Sequence, residues 1–239
     1  MEAFIVTGAS KGIGSALCHQ LHEQGKLVIG ISRSVPENWQ GTTLLPYDLS
    51  QSEGIPELME QAIALIPEQY DSVTLINNAG TIEPIGLVEN NDPQKIISSI
   101  GLNLTAPMLL STAFIQQLKG FNGEKRIINI SSGAGRKAYK GWSSYCAGKA
   151  GLDHFTVCLD EENDGVKAVS VAPGIIDTGM QERIRESDEE DFPLLDQFKE
   201  FKASGMLSSP EETASKLIQL INRQDFQSLQ PILDLRSFE

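Results

Sequence analysis

Apolar and polar positions follow two rhythms along the chain. Short apolar runs bounded by glycine, serine or charge read as buried strands. They are 3–8 (AFIVTG), 26–32 (KLVIGIS), 42–50 (TTLLPYDLS, the weakest), 72–80 (SVTLINNAG), 124–132 (EKRIINISS) and 166–174 (VKAVSVAPG), with a final edge strand in 229–238 (LQPILDLRSF). Between them apolar residues recur every three or four positions. In 13–25, Ile13, Leu17 and Leu21 share one helical face and Gly25 marks the stop. Helices are also predicted over 55–66, about 92–119, 143–163 and 209–222, the last opening on Ser-Pro-Glu-Glu. Buried strands joined by crossover helices predict a single α/β domain over 1–239. Its expected form is a Rossmann-like, doubly wound parallel sheet of about seven strands with helices on both faces. The polar stretch 177–208 breaks the rhythm and reads as a substrate lid or loop.

Charge narrows the partners. The 239 residues carry a formal net charge of −13, which disfavours nucleic acid and anionic membranes. The apolar stretches are broken by charge or glycine short of a membrane span, so no membrane is expected. The acidic run 186–191 (ESDEED) reads as a solvated loop. Cys18, Cys146 and Cys158 form no C-x-x-C pair and suit reduced thiols in the cytoplasm. His19 and His22 have no acidic partner at ligand spacing, and with His154 they read as surface or packing histidines, so no metal is expected.

Candidate chemistry begins at 7–14 (TGASKGIG), between the first strand and the first helix. Gly8, Gly12 and Gly14 let backbone approach a pyrophosphate, and the helix N-terminus favours the anion. Strand two ends in Ser32-Arg33, where an NAD-binding unit usually carries an acid for the ribose 2′-hydroxyl. A guanidinium at Arg33 suits a 2′-phosphate, and Lys11 adds a second cation. NADPH/NADP+ is therefore expected over NADH; a solvated surface role for Arg33 is the alternative.

TGASKGIG, NNAG (77–80), Asn103 in GLNLTAP, NISSGAG (129–135), YCAGK (145–149) and APGIIDT (172–178) occur in the order of the short-chain dehydrogenase/reductase family, which the chain resembles over nearly its whole length. The ISRS end of strand two and the ILDLRSF tail resemble its bacterial sepiapterin reductase-like, benzil reductase ((S)-benzoin-forming) branch. Many relatives end in a Gly-Gly-containing strand, and this chain does not. The resemblance implies cofactor contacts from Gly8, Ser10, Lys11, Gly12, Ile13, Gly14 and Arg33. It implies Asp48 and Leu49 at the adenine, and Asn78, Ala79 and Gly80 beside the adenosine ribose. Pro173, Gly174, Ile176 and Thr178 would meet the nicotinamide end. It also implies a homodimer or tetramer, for which the apolar stripe 104–118 with the Tyr145 helix offers a face; internal packing is the other use of that stripe.

Tyr145 and Lys149 stand four residues apart with only small residues between them, hence on one helix face. Carbonyl reduction needs a hydride and a proton, and a free phenol with a pKa near ~10 exchanges protons poorly at neutrality. An ammonium about 4 Å away at an effective dielectric of ~20 would lower it by up to roughly 3 units. Tyr145 is thus the expected proton donor. Lys149 would lower its pKa and hold the nicotinamide ribose. Ser132, at the family's usual offset of 13 residues before Tyr145, is the expected donor to the substrate oxygen, with Ser131 as its possible confusant. The resemblance makes Asn103 the support for a water linking Lys149 to solvent; a bond to local backbone is the alternative. Trp142, Tyr139 and Met180 either line the substrate pocket or pack loops. The function expected is reduction of a small ketone or vicinal dicarbonyl by NADPH. An NAD(P)-linked alcohol dehydrogenase and a non-catalytic nucleotide sensor are the rivals.

Overall fold

Alternation in the first strand sets the layers. In a computed structural model that describes residues 1–37, 39, 41–162 and 165–238, Glu2–Thr7 form β1. Successive side chains point to opposite faces, so Phe4 and Val6 enter one core while Ala3 and Ile5 enter another. The remaining strands are β2 (Leu27–Ser32), β3 (Thr43–Pro46), β4 (Ser72–Asn77), β5 (Glu124–Ile130), β6 (Lys167–Ala172) and β7 (Ile232–Asp234). They form one sheet of order β3-β2-β1-β4-β5-β6-β7, parallel at every pairing. The chain reverses direction across the sheet between β1 and β4, the switch point at which such folds bind ligands beyond the strand C-termini. This is a Rossmann-like α/β fold.

The helices cover both faces. Gly12–Glu23 (α1) and Pro210–Ile221 (α8) close the first core with Leu17, Leu21, Leu217 and Ile221. Ile55–Ala64 (α2), Ala106–Gln117 (α4) and Ser143–Glu162 (α5) close the second, which holds Met59, Leu110, Phe114 and Leu159. Ser209 starts α8 through a capping box with Glu212, as the Ser-Pro-Glu-Glu signal predicts. Asn163, where the predicted α5 helix ends, lies outside the described residues.

Four expectations need correction. The strand expected over 42–50 is only Thr43–Pro46; Tyr47 N still donates to Ser32 O at 2.9 Å, and the chain then turns at Asp48, whose carboxylate accepts from Ser50. The helix expected over 92–119 is Pro93–Ile100 (α3), a π turn at Gly101–Thr105 and then α4. Pro107 has no N–H to offer the Asn103 carbonyl four residues back, so the regular ladder cannot run through this point. The combined helix Pro93–Gln117 spans 25 residues and is apolar enough by length and composition to cross a membrane, against the reading that no stretch reaches that length. Here Ala106, Leu110, Ala113 and Phe114 spend that apolar character on the sheet. Finally, the 177–208 segment is not a bare loop. It carries two helices, Gly179–Arg185 (α6) and Leu195–Ala203 (α7), and buries Ile184, Phe192, Leu195 and Phe198.

Candidate active site

The glycine loop lies beyond the C-terminal end of β1, in contact with β2. Gly8 and Ala9 both donate to the Ile31 carbonyl, at 2.8 and 3.3 Å. Gly8 has φ +67°, and a Cβ there would come within 2.9 Å of Asn78 Nδ2. A Cβ on Gly14 would collide with the Gly8 carbonyl and Asn78 Nδ2. Asn78 thus acts mainly as a strut: its Nδ2 donates to Thr7 O at 2.9 Å, while the Thr7 hydroxyl accepts from Asn78 N and Ala79 N. At the start of α1, Lys11 makes no capping bond and the first turn holds no acid. The helix N-terminus therefore keeps its free N–H groups for an anion.

Around this loop stand the other expected cofactor residues. Lys11 and Arg33 are exposed. Ser10 and Ile13 are half-buried, Ile13 against the α1–α8 core. Asp48 Oδ1 accepts from Ser50 N at 3.0 Å and Ser50 Oγ at 2.8 Å, which fixes the carboxylate in its own turn; Leu49 beside it is buried. Past β6, Pro173 and Gly174 lead to buried Ile176 and to Thr178. A Cβ on Gly12 would lie 3.3 Å from Thr178 Cγ2, so the first and sixth strand ends face each other across the loop.

The second half of the site grows from β5 and α5. Ser132 caps the short turn Gly133–Gly135, accepting from Ala134 N at 3.1 Å, and its side chain lies close enough to the Tyr145 phenol to lower its pKa. Ser131 points the other way; its hydroxyl is buried without a partner. Lys149 is buried, donates from Nζ to Ile130 O at 2.7 Å, and places Nζ 5.8 Å from the Tyr145 ring centroid. The residues between are small for a reason: a Cβ on Gly148 would sit 3.1 Å from Asn103 Cβ. Asn103 Nδ2 donates to the Ser99 hydroxyl one turn earlier at 3.2 Å, and the amide also reaches across to another segment. Its Nδ2 donates to Thr81 O at 2.8 Å and its Oδ1 accepts from Thr81 N at 3.0 Å, pinning the strand end after NNAG. A Cβ on Gly80 would lie 2.9 Å from Asn103 Oδ1 and 3.6 Å from Lys149 Nζ, which brings these three positions together.

The electrostatics differ from the expectation. Burial pushes the Tyr145 phenol up to about 12 against a smaller lowering from Ser132. Burial likewise pushes Lys149 down to about 8, opposed by the Asp153 carboxylate. The ammonium lies toward the ring and bonds a carbonyl, so desolvation of the phenol outweighs its field. The lowered phenol pKa expected from the Tyr145–Lys149 spacing is therefore absent here.

Beside the 177–208 segment the surroundings of Tyr145 are aromatic. Trp142 meets Tyr145 edge-on at 5.9 Å, stacks on Phe192 at 4.6 Å and contacts Phe198 at 5.1 Å. Tyr139 and Met180 belong to the same cluster. With this cluster in place Tyr145 is only 6% exposed.

Comparison with known proteins agrees with this arrangement. The family model described as short chain dehydrogenase matches residues 2–189. The chain belongs to the short-chain dehydrogenase family. Members of that family are oxidoreductases that bind NAD(P)(H). The chain is 39% identical over 241 residues to benzil reductase ((S)-benzoin forming) of Bacillus cereus, covering 95% of this chain and 96% of the relative. It is 32% identical over 243 residues to sepiapterin reductase of Rattus norvegicus, covering 94% and 92%. Among solved structures, the KRED1-Pglu enzyme superposes with a TM-score of 0.85 at 28% identity, covering 98% of this chain and 100% of that one.

The residues fit a dinucleotide of this short-chain dehydrogenase class. The loop gives backbone clearance at Gly8 and Gly14, and α1 presents an uncapped N-terminus. Three contributors escaped the sequence reading. Thr7 holds NNAG in place, and Thr81 is the partner of Asn103. Asp153, one turn beyond Lys149, is buried against Arg136 and Ser170. Only the spacing of Asp153 from Lys149 offered a signal, and an i, i+4 acid on a helix usually marks a surface pair.

Proposed function

We propose that the protein is an NADPH-dependent carbonyl reductase acting on a small apolar or aromatic ketone or vicinal dicarbonyl. The observation that carries this reading is the meeting of the Ser132 hydroxyl with the Tyr145 phenol beneath an aromatic wall, next to the glycine loop. The similarity to benzil reductase supports the substrate class. Reduced nicotinamide, when bound, supplies the hydride. Tyr145 gives its phenolic proton to the reduced oxygen; with a pKa near 12 the phenol stays protonated across the working range, and an alkoxide is far more basic than a phenolate. Ser132 donates to the same oxygen and steadies the developing charge. Lys149 holds the nicotinamide ribose, and its remaining positive charge favours proton release by the phenol. Trp142, Phe192 and Phe198 exclude water and accept an aromatic substrate face.

Arg33 and Lys11, exposed beside the loop, support NADPH through a 2′-phosphate. A homodimer is proposed through the α3–α4 and α5 face, where Ile97 and Met108 are exposed, and a cytoplasmic setting suits three free cysteines. NADPH oxidation with benzil and with sepiapterin is the test, and turnover of at least one is expected. Tight NADPH binding with no turnover of any carbonyl would favour the sensor. For the cofactor, Arg33→Asp is expected to weaken NADPH and improve NADH in kcat/KM; an unchanged ratio removes the 2′-phosphate assignment.

A further inference from the structure

Asp153 lies one helical turn beyond Lys149 on α5, and both residues are buried, at 8% and 4% exposure. They come down on adjacent strands. Lys149 Nζ donates to Ile130 O of β5, while Asp153 Oδ1 accepts from Ser170 Oγ of β6 at 2.6 Å. Ile130 pairs in register with Val171, the neighbour of Ser170. Amine and carboxylate therefore share the β5–β6 seam. The other carboxylate oxygen, Oδ2, accepts from Arg136 Nε at 3.0 Å, and Arg136 Nη2 donates to Leu233 O of β7 at 3.0 Å. Arg136 directly follows the turn that Ser132 caps. That turn lies on the α5 backbone at Lys149 itself: a Cβ on Gly135 would come within 2.9 Å of the Lys149 carbonyl.

We propose that Asp153 and Arg136 are positioning residues of the reductase site. They clamp the Ser132 turn onto α5, and as the two opposite charges of one pair they set how firmly Lys149 keeps its positive charge. The carboxylate favours the charged amine and the guanidinium behind it opposes it. The direction found for Asp153 agrees, since its carboxylate counteracts the effect of burial on Lys149. Around the amine, α5 contributes Tyr145 and Asp153, and the turn after β5 contributes Arg136. The end of β7 adds Asp234 and Arg236, which bond each other at 2.6 and 2.9 Å and so largely cancel. The 79–81 loop and the π turn bring Gly80 and the neutral Asn103.

This inference deepens the reductase reading and rests on it for the activity measurement only. Two variants separate charge from mechanical support: Asp153→Asn and Arg136→Gln. The alkaline limb of kcat/KM for NADPH-dependent carbonyl reduction is expected to move to lower pH in the first and to higher pH in the second. A unit charge about 6 Å away predicts roughly half a unit to two units for Asp153→Asn, at effective dielectrics from ~80 to ~20. The more distant Arg136 gives less. A pair that merely braces the fold would lower turnover in both variants and leave the limb in place. Absent shifts, or shifts in one direction, overturn the proposal. The second measurement needs no cofactor: NMR titration of 13C-labelled lysine, with Lys149→Met to assign the resonance, reads the same opposite displacements directly. Should Asp153→Asn fail to fold, the upward displacement in Arg136→Gln carries the test, and its absence overturns the proposal. Opposite NMR displacements in a protein that turns over no carbonyl would uphold the pair and remove the reductase reading, so the two failures are distinguishable.

Discussion

Tyr145 stands between two unlike regions. Toward the sheet lies a polar interior: Ser132, Lys149, Asn103 and, deeper, the buried Asn77–Asn129–Thr156 ladder, bonded at 2.8 Å at each link. Toward the 177–208 segment its ring meets Trp142, which packs in turn on Phe192 and Phe198. The polar side is directional. Lys149, Asn103, Asn77 and Asn129 each donate to a named acceptor, and an unpaired group in a low dielectric is costly, so their geometry admits few alternatives. The aromatic side is held by area and tolerates displacement, because ring pairs gain about 0.5–1.5 kcal/mol beyond burial in several arrangements. On the proposed function, the reaction chemistry falls where positions are over-determined and substrate choice where they are adaptable.

The largest test of that contrast is Tyr145→Phe. The ring and its Trp142 contact survive while the proton is lost, so turnover should fall by about 10²–10⁴-fold with dinucleotide binding intact. Retained turnover would take the phenol out of the chemistry and leave the polar side with a structural role alone. Phe192→Ala attacks the other side. Removing a fully buried ring that stacks on Trp142 should cost about 3–5 kcal/mol in stability. It should also raise KM for aromatic carbonyls more than it lowers kcat; a kcat collapse at unchanged KM would place Phe192 in the chemistry after all. The smallest expected effect has an inverted sign. Burial lowers Lys149 from its ordinary 10.5 to about 8, so the unfolded chain binds more protons between those values and the group's contribution to stability rises with pH across them. Lys149→Met should abolish turnover yet stabilise the protein at pH 7, by up to about 3 kcal/mol, with the gain shrinking between pH 8 and 10.5. Melting temperatures at pH 7 and pH 10 check it. A loss at pH 7 larger than at pH 10 would mean that the bond to Ile130 O outweighs desolvation.

The two regions also differ in how far the sequence revealed them. Tyr145 and Lys149 stood out by their spacing, and Ser132 and Asn103 by the family resemblance. The helices of the 177–208 segment did not stand out: the apolar residues of 179–203 are diluted by the acidic run, and their period is too short to register as α6 and α7. The break in the long helix had a visible cause, Pro107, but its consequence for the Asn103 carbonyl depends on backbone geometry. Spacing also misjudged the tyrosine. It predicted proximity of phenol and amine correctly and the direction of the phenol's pKa incorrectly, because it carries no information about burial.

From the chain alone came the alternation of strands and helices, the glycine loop and the residues able to move a proton, since local periodicity and functional-group chemistry are properties of neighbours in sequence. Tertiary structure alone decided which serine meets the phenol, how strongly water is excluded from Tyr145 and Lys149, and that Arg136 and Asp153 join behind them. Those outcomes depend on desolvation and on contacts between segments far apart in the chain, and both exist only once the sheet has brought its strand ends together.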